Sequence, residues 1–216
     1  MELCDENLFQ ILSKKEQNKG FDIDDIKNIL TKLNKSFKIM SENNIVHRDL
    51  KLQNILVKYK NKEKTDYIVK LTDYGISKHL STLSKKLSTK IGTMNMMAPE
   101  ILKGKIYNEE CDLWSLGIII YILYLHKYPY KGATELAILN NIKNNKDIIE
   151  KQIDNSVLKD LVKKLLNQNP SERLNWDNYF NHSFFQIKKK ENEVESIKQK
   201  NEIEIINQEK ELKIKK

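Results

Sequence analysis

Residues 47–54 constrain this chain more than any other part of it. They read His-Arg-Asp-Leu-Lys-Leu-Gln-Asn, which puts a base, a cation and a metal-binding amide into one short segment. Nineteen positions after Asn54, the carboxylate of Asp73 opens the sequence Asp-Tyr-Gly, and Gly92-Thr93 and Ala98-Pro99-Glu100 follow. The order of these short sequences is more informative than any one of them.

Together they resemble the eukaryotic protein kinase family, whose catalytic loop reads H-R-D-L-x-x-x-N and is followed by D-F-G and A-P-E. A lone Asp-Tyr-Gly is usually a turn. The string His-Arg-Asp-Leu-Lys-x-x-Asn, with the lysine included, fixes six of its eight positions, and the later motifs follow in register, so chance is a negligible explanation. The spacing from Lys51 to Asn54 resembles the serine/threonine branch.

The resemblance implies transfer of the γ-phosphoryl group of MgATP to a serine or threonine hydroxyl of a protein. Asp49 would accept or orient the proton of the attacking hydroxyl, and Asn54 would bind one Mg²⁺. Asp73 would supply the carboxylate that holds Mg²⁺ against the phosphates, since Mg²⁺ favours few protein oxygens plus phosphates and water. Lys51 would neutralise charge between Asp49 and the phosphate oxygens.

The resemblance also implies an adenine site. Residues 1–4 read Met-Glu-Leu-Cys and resemble the hinge that joins the two lobes of a kinase. The backbone at Glu2 and Cys4 would hydrogen-bond adenine, and Leu56 would form the apolar floor beneath it.

Other family positions imply structural roles. His47 would pack under the aromatic ring of D-F-G, which is Tyr74 here, and we do not expect the imidazole to act as an acid or base. Asp112, in Asp-Leu-Trp-Ser-Leu-Gly, would brace the backbone of the catalytic loop. Arg173 would form a buried pair with Glu100.

Arginine usage supports this interpretation. Of 38 basic residues only Arg48 and Arg173 are arginine, and both fall at family positions. In a chain this rich in lysine, arginine is expected mainly where a planar, bidentate guanidinium is needed.

The motif also implies regulation. Kinases with an arginine directly before the catalytic aspartate are commonly activated when a phosphate in the activation segment pairs with it. Thr89 lies three residues before Gly92, as the family's activating threonine does, and Lys78 would be a second cation for the phosphate beside Arg48.

Composition excludes some other functions. The formal net charge is +8, but the lysines are scattered among acids and asparagines without an aromatic-interleaved stripe, so we do not expect nucleic-acid binding. Cys4 and Cys111 are isolated thiols, which favours a reducing compartment, the cytoplasm or nucleus. The apolar run at residues 116–125 is too short to cross a bilayer, which takes about 20 residues.

The patterns predict a mainly α fold (α+β) that resembles the C-terminal lobe of a kinase. Apolar residues at steps of three and four between positions 26 and 40 predict an amphipathic helix of about five turns. Strands are predicted at 55–59 and 67–71, as a small β-hairpin near the catalytic loop. Further helices are expected at residues 8–12, closing at Gly20, and at 109–125, 134–144, 156–167 and 176–181.

Residues 1–185 are therefore predicted to be a partial kinase domain and residues 186–216 a charged tail, helical or disordered, with a possible role in self-association. No G-x-G-x-x-G occurs in the sequence. We expect a fragment that lacks the N-terminal lobe, and weak ATP binding and no robust turnover from these 216 residues alone. The alternatives are a non-catalytic interaction module built on the kinase lobe and, much less favoured, a small-molecule kinase.

Overall fold

The structure is a computed structural model that describes residues 3–16, 19–73, 78–79, 94–105 and 108–186, with the backbone alone for 78–79. The α-helices whose bounds lie wholly in the described residues are, in order, α1 (Leu8–Ser13), α2 (Ile23–Glu42), α3 (Pro99–Leu102), α4 (Glu110–Leu125), α5 (Glu135–Asn144), α6 (Ile148–Gln152), α7 (Ser156–Leu165) and α8 (Trp176–Phe180). Five strands accompany them, namely β1 (Glu6–Asn7), β2 (Ile45–Val46), β3 (Ile55–Tyr59), β4 (Tyr67–Leu71) and β5 (Lys78–His79). The fold is mostly helical with a small antiparallel sheet.

Helix α2 shows how the sequence produces the helical core. Asp22 caps its N-terminus, since the carboxylate accepts a 2.8 Å hydrogen bond from the backbone N–H of Asp25. The apolar positions at steps of three and four all lie on one buried face, which consists of Ile26, Ile29, Leu30, Leu33, Phe37 and Met40. The predicted five-turn amphipathic helix is confirmed.

Helix α4 lies at the centre of the core. Its side chains are apolar on every face, and twelve of its sixteen residues are buried. Gly117 lets α7 approach closely, because a Cβ there would lie 2.9 Å from the Cβ of Leu165. A helix enclosed on all sides in this way is a rigid support for any polar group that it carries.

The β-hairpin sets the position of the catalytic segment. Strand β3 lies between β1 and β4, and the β3–β4 register pairs Ile55 with Leu71 and Tyr59 with Tyr67. The pairing continues one step past the strands, where the N–H of Thr72 donates to the carbonyl of Asn54 at 3.0 Å. This register brings the end of the 47–54 segment beside the residue that precedes Asp73.

The first helix differs from the prediction. It ends at Ser13 and does not extend to Gly20. Gly20 instead lies against α4, where a Cβ would be 1.9 Å from the carbonyl oxygen of Tyr124, and the N–H of Phe21 donates to the carbonyl of Leu123 at 2.7 Å. The glycine is needed for this close approach, which its position in the sequence does not reveal.

Arg173 and Glu100 form a buried ion pair that fixes α3. The guanidinium donates to the two carboxylate oxygens at 2.7 and 3.0 Å, and the Arg173 side chain is fully buried. It also donates to the carbonyls of Glu110 and Asn167, and it stacks 5.2 Å from the ring centroid of Trp114. One planar group thus joins four parts of the chain, which a lysine ammonium could not do.

We predict that Arg173→Met lowers the free energy of unfolding by about 3 to 5 kcal/mol, because it leaves the Glu100 carboxylate buried without its cation. Urea denaturation measures the change. The double variant Glu100→Met/Arg173→Met should recover part of the loss, since it removes the stranded charge as well. A double variant that loses the full sum of the two single changes would contradict this account.

Candidate active site

Residues 47–54 form a loop between β2 and β3 that ends in the 3₁₀ turn Leu52–Asn54. Two apolar side chains anchor it, since Leu50 is 1% exposed and Leu52 is 4% exposed. Asp49 and Asn54 are also buried, at 8% and 6% exposure. The alternation of buried leucines with polar residues holds the loop against the core while it keeps the polar side chains together.

Asp112 holds the start of this loop from helix α4. Its carboxylate accepts the backbone N–H of His47 at 2.6 Å and that of Arg48 at 2.9 Å. Arg48 has φ 70°, a left-handed conformation that a non-glycine residue adopts only when its surroundings impose it. Burial raises the pKa of Asp112, and the two N–H donors oppose that rise because they favour the ionised form.

The imidazole of His47 is occupied at both nitrogens. Nδ1 accepts the N–H of Asp49 at 3.3 Å, so Nε2 carries the proton that is donated to the carbonyl of Thr72 at 2.9 Å. The ring is 0% exposed. Both hydrogen bonds are to backbone groups, so the ring joins the catalytic loop to the residue before Asp73.

Asp49, Lys51 and Asn54 form one polar cluster. The ammonium of Lys51 lies 2.5 Å from Oδ2 of Asp49. The amide nitrogen of Asn54 donates to the carbonyl of Asp49 at 2.8 Å and to its Oδ2 at 3.1 Å. Because the amide nitrogen faces Asp49, the amide oxygen is the atom of Asn54 that is left to bind a cation.

Thr72 ties Asp73 to this cluster. Its N–H donates to Asn54 at the end of the loop, and its carbonyl accepts the ring N–H of His47 at the start of the loop. Asp73 follows with φ 66° and an exposed side chain. Two hydrogen bonds thus hold the residue before Asp73 to both ends of the 47–54 segment.

The side chains present suit Mg²⁺. An amide oxygen from Asn54 and a carboxylate from Asp73 are hard oxygen ligands, and Mg²⁺ takes the remaining ligands from phosphate and water. Within the described ranges no group of three His, Cys, Asp or Glu side chains could hold a metal by itself. These few protein ligands fit a site in which the phosphates of a bound nucleotide supply the other ligands of the metal.

The structure describes two of the three residues expected at the adenine site. Leu56 is half-buried on the face of β3 opposite to the buried Ile55 and Val57, so it belongs to the open side of the sheet. Cys4 is half-buried just before β1. Glu2 lies outside the described residues.

The predicted regulatory residues are also placed in part. Strand β5 pairs with β2 so that Lys78 lies opposite Val46, two residues before Arg48. Thr89 and Tyr74 lie outside the described residues. The backbone pairing brings position 78 to the entrance of the catalytic loop. The sequence placed Lys78 near Arg48 only through the expected phosphate and did not predict this strand pairing, since strands of two residues have no periodic pattern.

The chain belongs to the protein kinase family, because the model of the protein kinase domain matches residues 1–185. It is 36% identical over 181 residues to calcium-dependent protein kinase 4 of Plasmodium falciparum, with 82% of this chain and 33% of that protein aligned. It is 34% identical over 196 residues to serine/threonine-protein kinase TIO of Arabidopsis thaliana, with 90% and 14% aligned.

The chain therefore spans a third or less of each of these relatives. The family and its serine/threonine kinase homologues agree with the resemblance drawn from the motifs. None of the helices in the described ranges has the length and apolarity needed to cross a membrane.

Sequence reasoning missed the part that Thr72 plays. Its signal is its position, directly before Asp73 and one residue beyond the predicted strand 67–71. That the residue contacts both His47 and Asn54 depends on the register of the hairpin.

We predict that Asp112→Asn loosens the catalytic loop. The amide keeps one acceptor but turns an NH₂ group toward a buried backbone N–H, which should lower the free energy of unfolding by about 1 to 3 kcal/mol. Urea denaturation measures the stability, and hydrogen exchange at His47 and Arg48 measures the local effect. The exposed Asp154→Asn is the matched control. Unchanged exchange at both amides would show that Asp112 does not brace the loop.

Proposed function

We propose that this protein is a serine/threonine protein kinase that transfers the γ-phosphoryl group of ATP to a hydroxyl of a protein substrate. The observation that carries the proposal is the cluster of Asp49, Lys51 and Asn54, which Thr72 joins to Asp73. Its residue types and connections suit phosphoryl transfer, in which catalysis consists of positioning and of neutralising charge.

Each residue of the cluster has a distinct role in this proposal. Asp49 receives the proton of the substrate hydroxyl as its oxygen bonds to the γ-phosphorus and the bond to the ADP oxygen breaks. Lys51 lies against Asp49 and neutralises charge on the moving phosphoryl group. Asn54 and Asp73 would hold Mg²⁺, which when bound neutralises the nucleotide phosphates.

The contacts of Asn54 favour this division of roles. The same amide that binds Asp49 through its nitrogen presents its oxygen for a cation, so one side chain fixes the base and the metal relative to each other. Catalysis by positioning needs that kind of shared support, since displacement by 1 Å can lower the rate about 10²-fold.

We propose the same partners as for other kinases, ATP and a protein that carries serine or threonine. Leu56, and the backbone at Glu2 and Cys4, are the candidates for contacts with adenine. The open face of β3 at Leu56 supports this, because an apolar residue that is half-buried at a sheet face can take a flat ligand.

The test is transfer of radiolabelled phosphate from ATP to casein by the protein, expressed with any coding sequence that precedes Met1. We expect Asp49→Asn to abolish transfer while ATP binding persists, and Asp73→Asn to lose Mg²⁺-dependent binding as well as activity. Asp154→Asn, an exposed change of the same type, should behave as wild type.

Two outcomes would overturn the proposal. Transfer that is equal in wild type and Asp49→Asn would exclude Asp49 as the base. A folded protein without any transfer or Mg²⁺-dependent nucleotide binding would instead support the interaction module built on a kinase lobe.

We also propose that phosphorylation of Thr89 activates the kinase and that Arg48 and Lys78 bind the phosphate. The pairing of β5 with β2 supports it, because it brings the backbone of Lys78 near Arg48 at the entrance of the loop. A phosphate there would add about −1.5 to −2 charge and order the segment between the two cations.

We predict that Thr89→Ala lowers transfer to casein while ATP affinity stays nearly unchanged, since the phosphate acts on segment order and not on the nucleotide. Phosphatase treatment of wild type should have the same effect and should leave Thr89→Ala unaffected. Full activity of Thr89→Ala, together with no phosphate at this residue in mass spectra of the active protein, would refute the regulatory role.

A further inference from the structure

A groove of about 420 Å³ lies between the outward face of α2 and the end of the described chain. One wall carries Asn34, Lys35 and Lys38, which share a helix face because they are spaced by three and four residues. The other wall carries Phe180, Phe185 and Gln186. The groove shares no lining residue with the candidate active site.

Both walls are held in place by buried aromatic contacts. Phe37 of α2 lies 5.1 Å from the ring of Trp176 in α8, and the hydroxyl of Tyr179 donates to Oδ1 of Asn34 at 3.0 Å. The ring of Phe185 packs 5.1 Å from that of Tyr179. The groove is therefore preformed, and an occupant would not have to order its walls.

The charge of the groove is unbalanced. Lys35 and Lys38 are both exposed, and neither has an acidic partner among the described residues. The lysines of α7 differ, since Lys159 and Lys163 pair with Glu150 and Lys164 pairs with Asp160. No acidic side chain lines the groove, while Phe180 lies 5.5 Å from the ammonium of Lys38 and adds apolar surface.

This combination fits an acidic segment with an apolar residue in it, and the chain contains one nearby. Residues 191–195 read Glu-Asn-Glu-Val-Glu. They follow Gln186, which lines the groove itself, after only the four residues Ile-Lys-Lys-Lys. We propose that residues 191–195 of this chain bind in the groove, with their carboxylates on Lys35 and Lys38 and Val194 against Phe180 or Phe185.

Chain length allows this contact. Four residues separate Gln186 from Glu191, and the five Cα-to-Cα steps between them reach up to about 17 Å in an extended chain. The groove wall from Lys35 to Lys38 is much shorter, about 5 Å of helix. So short a linker gives an effective concentration in the mM range, so the segment is bound much of the time when its ion pairs and the apolar contact of Val194 together give a dissociation constant of about 1 mM or less.

Zero-length carbodiimide cross-linking of the 216-residue chain tests the proposal, since it joins a lysine to a carboxylate only when the two are in contact. We expect peptides that link Lys35 or Lys38 to Glu191, Glu193 or Glu195. The links should disappear in high salt, because the screening length falls to about 3 Å at 1 M.

Charge reversal supplies the controls. Lys35→Glu/Lys38→Glu should abolish segment binding, seen as faster hydrogen exchange in residues 31–38. Adding Glu191→Lys, Glu193→Lys and Glu195→Lys to that variant should restore slow exchange. Lys103→Glu/Lys105→Glu, the same charge change at two other exposed lysines, should have no effect on the links.

Three results would overturn the proposal. Links from Lys35 or Lys38 to residues 202–209 in place of 191–195 would assign another segment to the groove. Links between isotopically light and heavy chains in a mixed sample would assign it to a second copy. Hydrogen exchange at residues 31–38 that is the same in wild type and in all of these charge variants would show that residues 191–195 do not bind in the groove.

Discussion

The catalytic segment of this protein depends on one carboxylate in the buried helix. Asp112 accepts the backbone N–H groups of His47 and Arg48, which otherwise would be buried without partners. It also holds Arg48 in a left-handed conformation that such a residue does not adopt unaided. Because α4 is enclosed on all sides, the carboxylate cannot move to follow the loop, so the loop must follow the helix. The positions of Asp49 and Asn54 follow from that anchor.

Arg173, like Asp112, is one buried side chain that holds several segments of the chain in place. The chain has two arginines among its 38 basic residues, and Arg173 makes four hydrogen bonds to three partners besides its stacking on Trp114. Lys51, by contrast, lies against the single carboxylate of Asp49. A planar fork is needed where one side chain must join several segments, whereas a point charge is enough where one oxygen must be neutralised.

The long elements were predicted from the sequence because their residues carry local signals, and the candidate site residues were named from short motifs in the same way. The β3–β4 hairpin matches the prediction residue for residue, since alternating apolar positions flank a polar turn. The two-residue pairing of β2 with β5, the short helix α6 and the approach of Gly20 to Tyr124 were not predicted. These features depend on contacts between distant segments. For the same reason the motif could name His47 and Asn54 but not the threonine that joins them.

Helix α2 connects the core beneath the catalytic segment with the groove. Its apolar face packs into the core that supports Asp112, while its opposite face carries Lys35 and Lys38 toward the groove. A segment bound on the outward face would touch none of the residues of the catalytic cluster. Its effect would be to stabilise the helix by mass action, as any ligand of the folded state does. Coupling between distant sites requires an element with two discrete arrangements that both sites favour differently. We therefore expect occupancy of the groove to change the stability of the domain more than the chemistry of Asp49.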